Sequence, residues 1–282
     1  MQYNIGIIGF GFVGRAIHHG FAQTTNFRIY DKNPKLSENT LEETVRDSDF
    51  IFVSVPTPTN MKTGECDTSI LEGVIEDIKK YLTPKKIVII KSTIEPGTTK
   101  KIKDKAPHLR IVFNPEFLTE RTYKLDFINT SRIILGGDYL DCLEVANLYR
   151  ERFPEGSVPI YITDSTTAEL VKYMSNCFLA SKVMIFNEFY DICEALGVDY
   201  NEASGLVLAD NRIGRSHTDV PGHDGDRGIG GKCFPKDLNA LIKKAKDLGL
   251  DPIILKAIWN KNLKIRKNKD WLEIKGATLS NK

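Results

Sequence analysis

The run Gly230-Gly231-Lys232-Cys233-Phe234-Pro235-Lys236-Asp237 sets a thiol among two ammonium groups and a carboxylate, behind two glycines that leave the backbone open to a ligand. Lysines beside a thiol favour the thiolate, which is the reactive nucleophile. Pro235 and Asp237 also suit the first turn of a helix: proline because the N–H it lacks has no partner there, aspartate because it faces the positive end of the helix dipole. A helix over 236–248 then sets Cys233 just before its N-terminus, where the dipole acidifies a thiol further. The same residues equally fit a small buried side chain in a turn flanked by lysines, since an unoxidised cysteine packs as a small hydrophobe.

A second signature stands near the N-terminus. An apolar strand over 3–8 runs into Gly9-Phe10-Gly11-Phe12-Val13-Gly14, and a helical segment follows over 15–22. This is G-x-G-x-x-G between a strand and a helix, the context a dinucleotide fingerprint requires. The first glycine permits the tight turn, the second lets the backbone approach a pyrophosphate, and the third lets helix pack on strand. A second strand over 27–30 ends at Asp31, placed to bond a ribose 2′-hydroxyl and repel a 2′-phosphate, which selects NAD over NADP. Lys32 next to it weakens that selection.

These residues need a frame, and the chain supplies alternating strands and helices. Strands are expected over 50–55, 87–90, 111–113, 132–135 and 159–162, with helices over 41–45, 69–81 and 139–152 between them. The strand over 50–55 exits through Val55-Pro56-Thr57-Pro58-Thr59, where two prolines forbid helix or ladder. The next exits are Ser92-Thr93-Ile94-Glu95-Pro96-Gly97-Thr98-Thr99 and Asn114-Pro115-Glu116-Phe117-Leu118-Thr119-Glu120. Ligands sit at the carboxyl ends of strands in open α/β sheets. Glu116 and Glu120 at such an edge suit substrate binding or proton transfer, and equally suit exposed acids at a helix start. The repeated units predict a Rossmann-like, doubly wound, mostly parallel sheet over residues 1–163. Between 165 and 196 there is no proline or glycine, and apolar positions recur at three and four, so one long helix closed by Gly197 is expected. Lys172 and Asn176 share a face of it. The remainder of 164–282 is expected to be a small all-helical domain, with helices over 200–209, 236–248 and 252–266. A polar, glycine-rich loop over 210–227, suited to wrapping a charged ligand, leads to the Cys233 run.

The bulk numbers exclude several classes. A hydrophobic share of 41% with 27% charged residues over 282 positions fits a globular protein of more than one domain. A net charge of +2 implies no nucleic-acid partner. The basic residues after Lys256 are expected on a solvated helix face and tail. Five widely spaced cysteines form no CxxC pair or Cys/His cluster, so neither a disulfide framework nor a metal site is expected. With no signal pattern and no apolar run long enough to span a bilayer, the expectation is a cytoplasmic protein without a membrane partner.

Taken together, the ordered motifs resemble the UDP-glucose 6-dehydrogenase and related nucleotide-sugar dehydrogenase family. They are Gly9 to Gly14 with Asp31, Val55-Pro56-Thr57-Pro58-Thr59, Ser92-Thr93 with Pro96-Gly97-Thr98-Thr99, the run from Asn114 to Glu120, Glu169-Leu170-Val171-Lys172 with Asn176, Arg212-Ile213-Gly214, and Gly230 to Asp237. The resemblance implies oxidation of a sugar C6 alcohol to a carboxylate with two NAD⁺, most simply UDP-glucose to UDP-glucuronate. It implies Cys233 as nucleophile, Lys172 as stabiliser of oxyanions, Asn176 as a positioning group and Asp237 as an aid to thioester hydrolysis, with Glu116 and Thr93 ordering water. Cofactor contacts would come from Gly9, Phe10, Gly11, Phe12, Val13, Gly14, Asp31, Val55, Pro56, Thr57, Pro58, Thr93, Glu120 and Lys236. Substrate contacts would come from Glu116, Phe117, Leu118, Glu120, Lys172, Asn176, Arg212 and Gly230, with Arg212 reaching a neighbouring subunit of a homodimer built on the long helix. The family normally continues into a third domain that closes over the nucleotide, and this chain stops short of it. That departure leaves an NAD-binding or assembly subunit as one alternative, and a one-step hydroxyacid dehydrogenase as another.

Overall fold

The computed structural model describes residues 3–274 and 276–279. The chain forms two compact units. One takes the chain up to Thr57 and then Asp67–Lys172; the other takes Pro58–Cys66 and the chain from Tyr173 onward.

The first unit is built on seven strands: β1 (Asn4–Ile8), β2 (Asn26–Tyr30), β3 (Phe50–Val53), β4 (Ile87–Ile90), β5 (Ile111–Phe113), β6 (Ile133–Gly137) and β7 (Ile160–Thr163). They lie in the order β2-β1-β3-β4-β5-β6-β7. β1 to β5 are parallel, as are β6 and β7, while β6 meets β5 antiparallel with Val112 opposite Gly137 and Phe113 opposite Gly136. Gly136 is needed at that junction, since a Cβ there would stand 2.5 Å from Cβ of Ala168. The chain leaves β1 toward β2 on one side and returns to β3 on the other, so the strand order reverses between β1 and β3. That switch point is where doubly wound sheets bind their ligands.

Strand side chains alternate between two apolar layers. Ile5, Ile7, Phe50, Phe52, Ile87 and Ile89 pack with helices α1 (Phe12–Phe21), α5 (Tyr123–Ile128) and α6 (Tyr139–Arg152). Ile8, Ile51, Val53, Val88 and Ile90 pack with α2 (Leu41–Arg46), α3 (Ser69–Ile78), α4 (Thr98–Lys105) and Ala168 of α7 (Ser165–Leu196). With both faces covered, a central parallel strand must be apolar throughout, and all four residues of β4 are at most 1% exposed. Each such side chain contributes about 1.5–3 kcal/mol on burial. Helix α1 starts at Phe12 rather than 15, because Gly14 packs so closely on the first turn that a Cβ there would stand 2.3 Å from the Gly9 carbonyl oxygen.

The second unit is helical. The later part of α7 packs through Cys177, Ala180 and Met184 on α9 (Phe234–Asp247) and α10 (Ile253–Ile265), whose Leu238, Ile242 and Ile258 complete the core. A shorter helix, α8 (Tyr200–Val207), joins through Tyr200, which meets Phe186 and Val220. The strap Pro58–Cys66 bridges Thr59 to Cys66 and to Thr278, and Gly64 in it lies against Asn239 and Lys243 of α9. Among the described residues no helix is long and apolar enough to cross a membrane.

Candidate active site

In the first unit the turn after β1 carries the expected glycine geometry. Gly9 has a φ of 92°, and a Cβ there would stand 2.7 Å from the Ser54 carbonyl oxygen, so both backbone and space demand glycine. Ser54 Oγ donates to the Gly9 carbonyl at 2.7 Å, tying the turn to the end of β3. Asp31 at the end of β2 accepts from the Phe10 N–H at 2.7 Å and from the Asn33 N–H at 2.8 Å. Gly11 caps α1 without a side-chain bond, and a Cβ there would meet nothing within 4 Å. Space in front of an uncapped helix start, with N–H groups presented, fits the pyrophosphate of a dinucleotide.

The neighbouring strand exits are stitched together. Ser92 Oγ donates to the Val55 carbonyl at 2.7 Å and Thr57 Oγ1 donates to the Thr93 carbonyl at 2.6 Å. Thr57 thus fixes the backbone of Thr93, while Pro56 stands exposed. Glu169 on α7, fully buried, accepts from the N–H groups of Gly97 at 2.5 Å and Thr99 at 2.8 Å. That carboxylate caps α4 and joins two motifs 70 residues apart. Burial pushes its carboxyl above the usual range, and the bonds from Thr99 and Gly97 oppose the shift.

Glu116 and Lys172 meet in the same unit: Lys172 Nζ donates to Glu116 Oε1 at 3.2 Å, both residues being buried, and Glu116 Oε2 accepts from the Leu118 N–H at 2.7 Å. The Phe117 ring lies under the Lys172 ammonium at 5.5 Å and the Arg132 guanidinium at 4.2 Å. Glu120, four residues beyond Glu116, is exposed, so the two carboxylates have separate environments. One residue with no place in the sequence-based set joins this group. Lys91, first after β4 and 6% exposed, donates to Asn114 Oδ1 at 2.9 Å.

In the second unit Cys233 is the N-cap residue of α9, and its carbonyl accepts the Asp237 N–H at 2.9 Å as the first turn closes. Lys236 and Asp237 are buried in that turn in direct ion-pair contact, and Asn176 Nδ2 of α7 donates to Asp237 Oδ2 at 2.5 Å. Burial presses the Lys236 ammonium down, but the Asp237 carboxylate, with Cys66 and Cys233, more than offsets it and raises the ammonium above its ordinary value. Lys236 therefore keeps its charge in electrostatic reach of the Cys233 sulfur. All five cysteines are outside disulfides. Burial raises the Cys142 thiol to about 12 and Cys177 higher still, so neither is a reactive thiol.

The loop holding Cys233 is fastened from behind by residues that carried no local signal. The Arg266 side chain, 2% exposed, pairs with Asp224 at 2.5 Å and Asp270 at 3.4 Å, and Asp226 lies 4.0 Å away. Asp270 accepts the Gly231 N–H at 3.0 Å, and Asn262 bonds both the N–H and the carbonyl of Ile229. Gly230 is glycine because a Cβ would stand 2.1 Å from Arg266 Nη2. The basic residues after Lys256 are thus not all solvated, as expected from charge alone; this one is buried among aspartates. Several charges of the loop over 210–227 are also engaged within the unit. Arg227 binds Asp191 at 2.5 Å and the Asn187 carbonyl at 3.0 Å, and Arg212, largely exposed, pairs with Asp210. Among the described residues no group of three or more His, Cys, Asp or Glu side chains is arranged to hold a metal ion.

A doubly wound sheet with a glycine turn and terminal Asp31, in a chain that also carries a helical unit with a cysteine at a helix N-terminus, is the architecture of dinucleotide-dependent dehydrogenases. The comparisons narrow it. Residues 29–152 match the NAD binding domain, and residues 166–264 the central domain, of the UDP-glucose/GDP-mannose dehydrogenase family, and the chain belongs to that family. It is 33% identical over 254 residues to UDP-glucose 6-dehydrogenase TuaD of Bacillus subtilis, covering 88% of this chain and 53% of that one. It is 33% identical over 221 residues to UDP-glucose 6-dehydrogenase of Rickettsia typhi, covering 77% and 50%. The solved UDP-glucose dehydrogenase from Pyrobaculum islandicum superposes with a TM-score of 0.82 at 28% identity, over 94% of this chain and 68% of that one. The chain spans about half the length of these curated relatives.

Proposed function

We propose that the protein oxidises the C6 alcohol of a nucleotide sugar, UDP-glucose by the names of its relatives, to the carboxylate in two steps through Cys233. The observation that carries this is the α9 N-terminus: Cys233 at the N-cap position, beside a buried pair of Lys236 and Asp237 whose carboxylate Asn176 holds. A structural cysteine has no need of that expensive buried pair. Gly9 to Gly14 and Asp31 would hold NAD⁺, which would supply the hydride acceptor, one per oxidation.

In the first oxidation the alcohol becomes an aldehyde, its hydride passing to the nicotinamide that would be bound and its hydroxyl proton to solvent. The Cys233 thiolate then adds to the aldehyde carbon; the C–S bond forms, and the carbonyl oxygen takes up negative charge and a proton. Lys172, held by Glu116, stabilises such oxyanions. The second oxidation converts this thiohemiacetal to a thioester. Water attacks the thioester carbon, the C–S bond breaks, and the thiolate and a carboxylate are released, with Asp237 receiving one proton of the water and the other passing to solvent. Asn176 and Thr93 position the substrate oxygen and water, and Phe117, Leu118 and Gly230 shape the sugar site. Glu120 and Arg212, both exposed, remain available to cofactor and substrate, Arg212 to those of a second subunit.

That second copy would dock on α7, where Met174, Phe178, Ile185, Phe189, Ile192 and Leu196 form an exposed apolar stripe at helical spacing. A panel of nucleotide sugars assayed for NADH tests the function. Turnover of UDP-glucose supports it, and absence of NADH with every member of the panel refutes it.

A further inference from the structure

Among the described residues three lysines are buried: Lys91, Lys172 and Lys236. Two of them face a carboxylate, Lys172 with Glu116 at 3.2 Å and Lys236 with Asp237. Lys91 is different. Among the described residues no carboxylate oxygen lies within 4.0 Å of its ammonium. Its bonds go instead to Asn114 Oδ1 at 2.9 Å and, more weakly, to the Pro115 carbonyl at 3.5 Å, the two residues that lead into Glu116.

A buried cation with only neutral acceptors is costly unless its environment uses it. Both ends of the Asn114 amide are held: Oδ1 also accepts from the Tyr149 hydroxyl at 2.6 Å, and Nδ2 donates to the Ile134 carbonyl at 2.8 Å. A cavity of about 30 Å³ opens beside Lys91, lined also by Val13, Glu116, Arg132 and Tyr149. The groups facing this region are Glu116 from the exit of β5, Lys172 from α7, Tyr149 from α6 and Arg132 ahead of β6.

We propose that Lys91 is a positioning residue for the reaction proposed above: its ammonium anchors the Asn114-Pro115-Glu116 turn and shares the Glu116 charge with Lys172. The assignment to catalysis rests on that functional reading, whereas the charge sharing is a property of the fold. Burial lowers the Lys91 ammonium to about 7, with Glu116 opposing the fall and Lys172 adding to it. The trio therefore sheds a proton at Lys91 as pH rises through neutrality, and the Glu116 carboxylate passes from two cations to Lys172 alone. The charge set around Lys172 then depends on a residue whose own bonds go to the Asn114-Pro115 turn.

The test has two arms. In protein labelled with ¹³C at the lysine ε-carbons, the resonance lost in Lys91→Arg identifies Lys91, and its midpoint is expected near 7. Glu116→Gln should lower that midpoint by about 1–3 pH units, since the opposite charge is gone. This arm leaves Lys91 in place and needs no turnover. A midpoint in the ordinary lysine range, or one that Glu116→Gln does not move, overturns the proposal. In the second arm, NADH formation with UDP-glucose is followed against pH. The wild-type inflection near neutrality should vanish in both Lys91→Arg, whose charge is permanent, and Lys91→Met. Lys91→Met should lose about 10²-fold in kcat through misplacement of Glu116, with KM little changed and Lys91→Arg recovering part of the loss. An inflection persisting in both variants overturns the proposal. Absence of turnover with any nucleotide sugar would instead strike the functional reading, and the resonance arm would still judge the charge sharing.

Discussion

Replacing Asp237 by asparagine probes the pair at the start of α9 without changing its shape. Asp237 is 1% exposed, and Lys236, 5% exposed, touches it, so the variant strands an ammonium in the interior. Removing one partner of a buried pair costs about 3–5 kcal/mol. The pH dependence sharpens the expectation. In the wild type the Lys236 value is raised on folding, so the stability this pair contributes is fully present below the unfolded lysine value and is lost only as pH rises through the folded one. In the variant only burial remains among the large influences, so the folded value drops below the unfolded one. Between those two values the unfolded chain binds more protons, and stability rises with pH. The deficit should therefore be about 3–5 kcal/mol near pH 7 and smaller near pH 10, where the stranded ammonium of the variant has discharged while the wild-type pair is still intact. The chain has two tryptophans, Trp259 on α10 and buried Trp271, 5.5 Å apart between ring centroids. Both belong to the unit that holds the pair, so urea unfolding followed by tryptophan fluorescence reports on it selectively. With a slope of about 2 kcal/mol per molar urea, the midpoint should fall by about 1.5–2.5 M near pH 7. A deficit under about 1 kcal/mol, or one equal at both pH values, would refute the reasoning.

Four further substitutions discriminate equally well. Gly11→Val should leave the melting temperature unchanged and weaken NAD binding in a titration, because a Cβ at Gly11 meets only open space, whereas Gly14→Val should destabilise by about 1–3 kcal/mol through collision with the Gly9 carbonyl. Glu169→Gln leaves the N–H of Gly97 or Thr99 without its acceptor, at a cost of about 1–3 kcal/mol seen as faster hydrogen exchange at those two amides. It should also remove the fall in stability that the wild type shows as pH rises above the ordinary glutamate range, since the folded Glu169 value is raised. Arg266→Met strands Asp224 and Asp270 and should cost about 3–5 kcal/mol by tryptophan fluorescence, while iodoacetamide alkylation of Cys233 changes as its loop loosens.

What was legible in the sequence was governed by spacing of a few residues. Helix α7 spans Ser165–Leu196 as expected, because no glycine or proline interrupts it and Gly197, with a φ of 68°, ends it. The glycine turn, Asp31 and the place of Cys233 ahead of α9 were legible for the same reason. Contacts between distant segments were not. Nothing beside Lys91 signals that Asn114 will hold it, and Arg266 stands among lysines while its partners Asp224 and Asp226 lie some 40 residues earlier. Spacing alone put Lys172 and Asn176 on one face of α7 but not what they would meet: both are buried, each against a carboxylate supplied by another element. Helix α5 escaped notice because six residues are too few for a periodic pattern; it is held by Phe127, which lies where any side chain at Gly20 would have to go.

The central claim is that the oxidised carbon is carried on the sulfur of Cys233, and counting NADH against sugar consumed tests it most directly. Wild-type protein given limiting UDP-glucose should form about two NADH per sugar, and Cys233→Ala at most about one, with no glucuronate. Two NADH per sugar and a carboxylate product from Cys233→Ala would contradict it.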